Sequence, residues 1–437
     1  MKTSHTPPGM PVSLILHHAN VVTMDPARPR AELIAIGGNS IVAVGGNDLL
    51  SGLLSPGTRL IDCEGLTIIP GFNDAHCHVL AFARSLLSLD CSPSSVRSIE
   101  DIKRAVRERS RATPPGSWIT CAGYNPFYLE EERNPTRRDL DQATPDHPVK
   151  LGDFSGHVCV LNSAGLKAAG IGNETAEPPG AVIDREIETG EPSGVLYEMN
   201  YVVDRAIPAP RREDLDRAVA EASRLYLASG ITSLQDATAD NGLDRWRLLS
   251  EFKANAALRP RLAMMVDPGQ VGEFRKHGLE ARAGNNEMRL AAAKVMLTES
   301  TGSVFPAREE LERLVLGIHR AGGQVAIHAI EESAVSAAIS AIEYAVAVSP
   351  RPGHRHRIEH CSESSSSLVE RMKSAGVVIV TQPPFIYHSG DRYLAQVPAD
   401  QLPWLYPLRT LIEAGVPVAA GSDSPVVPAD PFAGLYG

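Results

Sequence analysis

Short apolar runs alternate with longer amphipathic stretches along most of the chain after residue 65. Such alternation is typical of a parallel β-sheet whose strands are joined by helices. Helix-like stretches at 215–228 and 309–320 fit two of the connections. The strand-like runs number eight, the count that closes a (β/α)8 barrel, and they lie at 66–73, 231–235, 261–266, 290–297, 324–327, 357–359, 377–381 and 416–420. The pattern therefore predicts an α/β fold, a TIM barrel, with an open doubly wound sheet as the alternative.

Two further segments complete the predicted organisation. Residues 1–65 carry short β-rich pieces separated by turn residues, which predicts a small β-rich domain ahead of a barrel domain at 66–437. The first two barrel strands are separated by about 150 residues, far more than one connection needs. We therefore expect an inserted subdomain at about 85–213, lying over the mouth of the barrel.

Composition and charge limit the classes of molecule that this chain could bind. The chain is 43% hydrophobic and 22% charged, as in ordinary globular proteins, and its formal net charge is −10. Nucleic acids and anionic membranes bind basic surfaces, so we expect neither as a partner. No apolar run approaches the roughly 18 residues that span a membrane.

The N-terminus and the cysteines indicate where the protein works. Residues 1–11 hold one lysine and no apolar core, so no secretory signal is visible. The six cysteines are scattered without a Cys-x-x-Cys pair, a pattern typical of reduced thiols. We therefore expect a cytoplasmic protein.

Polar residues stand where the predicted barrel strands end, and those ends share one face of a barrel. His76 and His78 follow the first run, and the period of two along a strand points both imidazoles to one side, as half of a divalent-metal site. Later strands end in Lys294, His328, His360 and Asp423. Their separations of 34, 32 and 63 residues correspond to one, one and two βα units of roughly 30 residues each.

Each of these residues has an ordinary structural alternative. A lone buried histidine such as His328 is often a hydrogen-bonded core residue. Lys294 lies in an apolar run, where it could pair with a carboxylate, and Asp423 could be a turn or helix-cap residue. It is their joint placement that favours a metal-dependent hydrolase. A Gly-x-Ser-x-Gly elbow and the dinucleotide and P-loop signatures are absent from the sequence.

These residues and their neighbours resemble a known family. The segments 70–78, 324–330, 355–360 and 421–426 are similar to metal-site motifs of the amidohydrolase superfamily. The closer similarity is to its amidohydrolase-3 branch, the YtcJ-like proteins that include N-substituted formamide deformylases. Further markers of that branch lie in the predicted insertion, at 134–137, 146–149, 156–157 and 191–196.

The resemblance implies a metal-dependent hydrolase that cleaves a C–N bond, in an amide or formamide-like small molecule, with hydroxide activated by the metal. His76, His78 and Asp423 would bind one ion, and His328 and His360 a second. A carboxylated Lys294 would bridge the two. If Lys294 is unmodified, the alternative is a single-metal site formed by the histidines and Asp423. The nitrogen and oxygen ligands suit Zn²⁺, with Fe, Mn or Co as alternatives.

Within this mechanism Asp423 is the catalytic residue, the base that takes the proton of water and delivers it to the leaving nitrogen. Candidate substrate contacts are His157, Asn162, Gln382 and Tyr387, each of which could equally be an ordinary polar residue. Ester hydrolysis or deamination at the same site is an alternative, and so is an inactive metal-binding relative.

Two departures from the family pattern stand out. An Asp-Gly pair often follows the barrel lysine in relatives, whereas residues 298–302 here read Thr-Glu-Ser-Thr-Gly, which puts the relatives' substrates in doubt. Relatives also continue beyond the position of Gly437, with an eighth helix and strands that complete the small β-domain. We therefore expect either a truncated chain or a β-domain whose missing parts come from another chain. The open sheet edges favour a homo-oligomer.

Overall fold

The described chain builds four β-sheets, and the largest has eight strands. The structure is a computed structural model that describes residues 11–299 and 301–437. Residues 1–10, examined above for a secretory signal, and Ser300 lie outside the described part. In chain order the strands are β1 (Leu14–His17), β2 (Asn20–Val22), β3 (Arg30–Ala31), β4 (Leu33–Gly37), β5 (Ser40–Gly45), β6 (Arg59–Asp62), β7 (Thr67–Ile68), β8 (Phe72–Cys77), β9 (Leu89–Asp90), β10 (Ile119–Tyr124), β11 (Val149–Asp153), β12 (Val158–Leu161), β13 (Val182–Arg185), β14 (Pro192–Tyr197), β15 (Ile231–Asp236), β16 (Arg261–Val266), β17 (Met288–Met296), β18 (Val325–Ala329), β19 (Arg357–His360), β20 (Val378–Thr381) and β21 (Val418–Ala420).

Helices form most of the longer connections. Within the described ranges, none of them combines the length and the apolar character needed to cross a lipid bilayer. In chain order they are α1 (Leu50–Leu53), α2 (Val79–Ser85), α3 (Ile99–Ala112), α4 (Arg137–Asp141), α5 (Ser163–Ala168), α6 (Asn200–Val203), α7 (Arg212–Ala228), α8 (Leu243–Ala254), α9 (Val271–Lys276), α10 (Arg308–Arg320), α11 (Glu332–Val348), α12 (Ser366–Ala375), α13 (Pro384–Gln396), α14 (Leu408–Ala414) and α15 (Pro431–Tyr436).

Local signals fix where several helices begin and end. Helix α3 begins after Ser98, whose hydroxyl accepts the backbone N–H of Asp101 at 3.1 Å. Helices α12 and α14 end at Gly376 and Gly415, both in the left-handed region (φ 64° and 81°) that favours glycine. Strands β20 and β21 start three or fewer residues later, so these glycines set the entry into the last two barrel strands.

The eight-stranded sheet confirms the predicted barrel and sets aside the open doubly wound sheet. Its strand order is β8-β15-β16-β17-β18-β19-β20-β21. From β15 onward each neighbouring pair is parallel. The two outer strands meet just beyond β21, where the backbone N–H of Asp423 donates to the carbonyl of His76 at 2.7 Å. Small and apolar side chains fill part of the interior, among them Ala237, Met265 and Ala326.

The first barrel strand is not where the apolar run predicts it, and the prediction at 66–73 is wrong. Residues 67–68 form β7 in a separate small sheet, and the barrel strand β8 runs from Phe72 to Cys77. The Pro70-Gly71 pair interrupts the run, because proline lacks an N–H and glycine is flexible. Strand β8 also buries the polar residues Asp74 and His76, so its inward face carries no apolar signal. The other seven runs coincide with β15 to β21 to within a few residues.

Residues within the predicted insertion form a sheet of their own. It has the strand order β13-β14-β12-β11-β10-β9. Its core includes Ile102 and Val106 of α3, which pack with Tyr124 and Leu140. The insertion therefore has its own hydrophobic core.

The N-terminal part is a separate compact unit that ends at Phe72, and a second unit runs from Asn73 to Gly437. In the first unit β1 pairs antiparallel with β4 and parallel with β6. A small core gathers Ile15, Leu33 and Val42. The predicted domain bounds at 1–65, 66–437 and 85–213 stay predictions.

Two buried imidazoles join α10 to the segment before β19. The backbone N–H of Val325 donates to His356 Nδ1 at 3.1 Å, so His356 carries its proton on Nε2 and donates it to His319 Nδ1 at 2.8 Å. His319 Nε2 in turn donates to the carbonyl of Ser349 at 2.6 Å. These contacts fix the tautomer of His356. Burial, together with the nearby charges of His354 and His319, lowers the pKa of His356 to about 3.

Candidate active site

The predicted metal-site residues all lie at the carboxyl ends of barrel strands, on one face of the barrel. They are His76 (β8), His78 (one residue beyond β8), Lys294 (β17), His328 (β18), His360 (β19) and Asp423 (three residues beyond β21).

Asp423 is at the centre of this cluster. Its Oδ1 lies 3.0 Å from His78 Nε2 and 3.4 Å from His76 Nε2, and its Oδ2 lies 3.9 Å from His360 Nδ1. Potential ligand atoms of His76, His360 and Asp423 all lie within 4.8 Å of one another. This spacing lets one divalent cation reach all three groups after small side-chain adjustments.

Lys294 and His328 complete the cluster. Lys294 Nζ lies 3.3 Å from His76 Nε2, and the ring centroid of His328 lies 4.4 Å from that of His360. Lys294 is 2% exposed. Burial lowers its pKa to about 8, although the charges of Glu359 and Asp423 act in the opposite direction. A larger fraction of Lys294 is therefore the neutral amine near pH 7 than for an ordinary lysine.

Three of the imidazoles are oriented by a second side chain. Nδ1 of His76 lies 2.6 Å from Glu359 Oε2, Nδ1 of His78 lies 3.1 Å from Thr238 Oγ1, and Nδ1 of His360 lies 2.7 Å from Gln382 Oε1. With Nδ1 engaged by these partners, Nε2 is the ring nitrogen that each histidine would offer to a metal, and in His76 and His78 it faces Asp423. Such outer contacts are typical of histidine ligands and fix the ring tautomer and direction.

Glu359 is itself held by a buried arginine. Arg357 donates to its two carboxylate oxygens at 2.7 and 2.8 Å, and Glu359 is fully buried. Burial acts to raise the pKa of Glu359, but the guanidinium of Arg357 and the ring of His76 outweigh burial and hold this pKa below its usual range. A negative charge thus lies directly behind His76, where it increases the basicity of this ligand.

The imidazoles of the cluster are poised as neutral ligands. Burial lowers the pKa of His76 to about 3 and that of His360 to about 4, and it lowers the pKa of His328 well below the ordinary value. A neutral imidazole offers a lone pair to a metal, whereas a protonated ring does not.

The donor set fits a divalent cation. Burial acts to raise the pKa of Asp423, but the imidazoles of His76, His78 and His360 outweigh it, so this pKa lies below its usual range. Asp423 Oδ1 is sealed from solvent and has no hydrogen-bond partner of good geometry among the described residues. A buried carboxylate oxygen without a partner is costly unless a cation or another donor reaches it.

The backbone around the cluster is tightly constrained. Asp74 accepts hydrogen bonds from the backbone N–H of Ser422 at 3.0 Å and from its hydroxyl at 2.6 Å, which ties β8 to the loop after β21. Burial raises the pKa of Asp74 to about 6. A Cβ at Gly421 would lie 2.6 Å from the backbone nitrogen of His76, so glycine is required there. His360 and Asp423 adopt left-handed backbone angles (φ 67° and 58°), which are uncommon for such residues and cluster at functional sites.

Two of the predicted substrate contacts lie beside the cluster. His157, from the insertion, places its ring centroid 5.5 Å from that of His328, and its Nδ1 lies 2.9 Å from Glu198 Oε1. Burial lowers the pKa of His157, but the hydrogen bond and charge of Glu198 outweigh burial and leave the pKa raised. Gln382 is fully buried at the end of β20 and contacts His360.

The expected substrate contact of Asn162 is not supported by its position, and we correct it. Asn162 caps α5 and is fully buried. Its Oδ1 accepts from the backbone N–H groups of Val149 and Gly165, and its Nδ2 donates to the carbonyls of Thr144 and His147. The oxygen and the amino group of this side chain therefore both form their hydrogen bonds within the insertion, as expected for asparagine at a helix N-cap.

Tyr387 is on α13, the helix that follows β20. Its side chain is 55% exposed, and its ring lies 5.7 Å from Tyr436 and 5.0 Å from His388. Its predicted contact with substrate stays a prediction.

Sequence reasoning missed the groups that orient the ligands. Thr238 and Glu359 are 160 and 283 residues away in sequence from the histidines that they contact. The one signal for Glu359 was a charged pair, Arg357 and Glu359, inside a predicted barrel strand, and the structure buries both residues.

Comparisons with known proteins identify the family of this chain. The sequence model of the amidohydrolase family matches residues 59–437. N-substituted formamide deformylase of Arthrobacter pascens is 28% identical over 444 residues, which cover 94% of this chain and 80% of that protein. Putative amidohydrolase YtcJ of Bacillus subtilis is 26% identical, with 96% of this chain and 82% of that protein covered.

A solved structure shares the fold. The crystal structure of an uncharacterized metal-dependent hydrolase from Pyrococcus horikoshii superposes with a TM-score of 0.72 and 22% sequence identity, covering 97% of this chain and 85% of that one. Because the family model extends over most of the chain, the protein belongs to the amidohydrolase family and is a hydrolase of the amidohydrolase superfamily.

Proposed function

We propose that the protein is a metal-dependent hydrolase that cleaves the C–N bond of an amide or formamide-like small molecule. The observation that carries this proposal is the convergence of three imidazoles, those of His76, His78 and His360, on one buried carboxylate, with a lysine beside them. The similarity to N-substituted formamide deformylase supports the choice of bond. The matched Pyrococcus protein is described as metal-dependent, which supports the need for a metal.

In this proposal His76, His78 and Asp423 hold one ion, and His328 and His360 hold a second. Zn²⁺ suits these ligands. Lys294, with its lowered pKa, is partly a neutral amine, the form that would add to carbon dioxide with release of one proton, and the resulting carbamate would supply oxygen ligands to the metal. The bound metal supplies Lewis acidity and lowers the pKa of water.

The side chains of this chain move the protons. Asp423 is ionised at neutral pH, because its pKa is held low, and it lies at the centre of the cluster. It therefore accepts the proton of the attacking water and passes it to the leaving nitrogen. His157, fixed by Glu198 and beside His328, is proposed to donate a hydrogen bond to the substrate carbonyl. Gln382 is proposed to orient the ring of His360. A contact between Gln382 and the substrate stays a prediction.

The test has a metal arm and a substrate arm. Zinc is counted by elemental analysis after loading with zinc and bicarbonate, in the wild type and in a His76→Ala/His360→Ala variant. A difference of two ions supports the binuclear site, a difference of one supports a single-metal site, and no difference refutes the metal proposal. Lys294→Ala then asks whether the second ion depends on the lysine, and Lys276→Ala, at an exposed lysine (76%) on α9, is the control.

The substrate arm uses formamides, simple amides and esters of matched leaving groups, with the Asp423→Asn variant as the blank. Preferential release of amines from formamides or amides supports the proposed bond. Turnover of esters alone would move the activity to the alternative substrate class. A loaded metal site without turnover of any of these compounds would contradict the proposed bond cleavage.

The predicted location and assembly remain predictions. All six cysteines are buried and unpaired, which supports a reducing cytoplasmic environment. Sedimentation of the purified chain would determine whether it forms the predicted homo-oligomer.

A further inference from the structure

A second group of metal-ligating side chains lies in the N-terminal unit. His17 ends β1, His18 follows it, and Asp62 ends β6, which pairs in parallel with β1 so that His17 and Asp62 are register partners. One potential ligand atom from each of the three residues lies within 4.8 Å of the other two. No part of the proposed hydrolytic mechanism uses these residues.

We propose that His17, His18 and Asp62 form a binding site for a divalent transition-metal ion such as Zn²⁺. Two imidazoles and a carboxylate are a ligand set that zinc, cobalt and nickel accept.

The distances suit such an ion. His18 Nδ1 and Asp62 Oδ2 are 3.0 Å apart, and two ligands bound at about 2.0–2.1 Å around one zinc ion lie about 3.0–3.4 Å from each other. The rings of His17 and His18 have centroids 4.5 Å apart and an interplanar angle of 67°, so they approach from different directions. The side chains of His18 and Asp62 are about half exposed (54% and 50%), which leaves room for water as further ligands.

An unpartnered atom points independently to a ligand. His17 Nδ1 is sealed from solvent and has no hydrogen-bond partner among the described residues. A buried imidazole nitrogen without a partner loses its contact with water and gains nothing in return. A plain ion pair between His18 and Asp62 leaves this nitrogen unsatisfied, whereas a shared metal ion would bind it.

The backbone holds the ligands in place before any ion arrives. His18 is in the left-handed region (φ 51°), and its N–H donates to Asn47 Oδ1 at 3.0 Å. Its carbonyl accepts from Gly65 at 2.7 Å, and the carbonyl of His17 accepts from Cys63 at 2.8 Å. These bonds fasten the turn after β1 to the loop after β6, so little ordering is needed on binding.

The first experiment measures protection of the histidines in the unaltered chain. Diethyl pyrocarbonate modifies free imidazoles, and peptide mass spectrometry reports the rate at each residue with and without micromolar zinc. We expect zinc to slow modification of His18 several-fold. His277 is the internal control, because it is similarly exposed (44%) and lies 3.6 Å from Glu273 but belongs to no three-ligand group among the described residues. Equal rates at His18 with and without zinc would overturn the proposal.

The second experiment counts ions in the full-length chain. Asp62→Asn keeps an oxygen for the backbone N–H of Glu64, which Asp62 Oδ1 accepts at 2.9 Å, but it removes the anionic ligand. We expect this variant and His18→Gln each to retain one zinc ion fewer than the wild type, and His277→Gln to retain the same number. Equal zinc in the wild type and in Asp62→Asn, or a difference that appears at millimolar zinc alone, would contradict the site. A failure of the barrel metal centre would leave these differences unchanged, so the two outcomes can be told apart.

Discussion

Replacing Glu359 by glutamine tests whether the buried support behind His76 is as important as its geometry indicates. Glu359→Gln keeps the shape of the side chain and removes its charge. Arg357 would exchange its two contacts with the carboxylate for one hydrogen bond to the amide oxygen, while keeping Gln235 and the carbonyl of Ala75 as partners. The ring of His76 would lose the anion that lies 2.6 Å from its Nδ1.

The expected loss of stability follows from the burial of this pair. Breaking a buried ion pair costs about 3–5 kcal/mol, and the hydrogen bond that the amide oxygen still accepts returns about 1 kcal/mol. We therefore expect the free energy of unfolding to fall by about 2–4 kcal/mol. Removing an outer partner of a histidine ligand also weakens metal binding by about 10–100-fold.

Urea titrations followed by tryptophan fluorescence measure the first effect, because Trp118, Trp246 and Trp404 all lie beyond residue 73. Competition with a chelator measures the second. The matched control is Glu343→Gln, because Glu343 and Arg371 also form a two-contact pair (2.7 and 3.2 Å) but are 40% and 35% exposed. We expect that change to cost less than about 1 kcal/mol. Equal losses in the two variants would refute the reasoning.

Three further changes have definite expected outcomes. Asp423→Asn should abolish turnover of a formamide substrate, whereas the same change at the exposed Asp430 should leave it intact. A wild-type kcat in Asp423→Asn would show that Asp423 is not the base. Gly421→Ala should lower the melting temperature, because its Cβ would meet the backbone of β8 at 2.6 Å, whereas Gly390→Ala, which has open space, should not. The pKa of His356 is about 3 in the folded chain and 6.5 ordinarily, so its contribution to the free energy of unfolding should be full above pH 6.5 and decline towards pH 3. Urea midpoints at several pH values check this. A His356→Gln chain with the same pH profile as the wild type would contradict it.

The sequence predicted most of the barrel because its strands are apolar. Most of the strands from β15 to β21 are bounded by turn residues and stand out as short hydrophobic runs, although β19 reads Arg-Ile-Glu-His and holds a single aliphatic residue. The first strand was misplaced because β8 turns Asp74 and His76 inward, and a hydrophobic pattern cannot mark a strand whose buried face is polar. The same residues that obscured the strand revealed the candidate site.

The sequence predicted the candidate metal ligands but not the side chains that orient them. Spacing along the chain located the candidate ligands, since each stands at a strand end and the strand ends meet. It could not locate Thr238 and Glu359, whose contacts depend on the order of strands around the barrel. Asn162 was misjudged because an asparagine after a strand serves a helix cap as readily as a substrate, and the sequence does not say which.

The contact between Asp74 and Ser422 spans 348 positions, and this has a consequence for synthesis on the ribosome. The first barrel strand emerges early, whereas its partner in the closing contact is made 348 residues later. Until Ser422 and Asp423 have been made, Asp74 of β8 lacks its closing partner, and His76 and Asp423 cannot come together. Contacts of such long range slow folding, so the nascent chain exposes an incomplete sheet until residue 422 has been made. The candidate active site therefore cannot assemble before Asp423 is made, and a polypeptide released earlier would carry its histidines without their carboxylate.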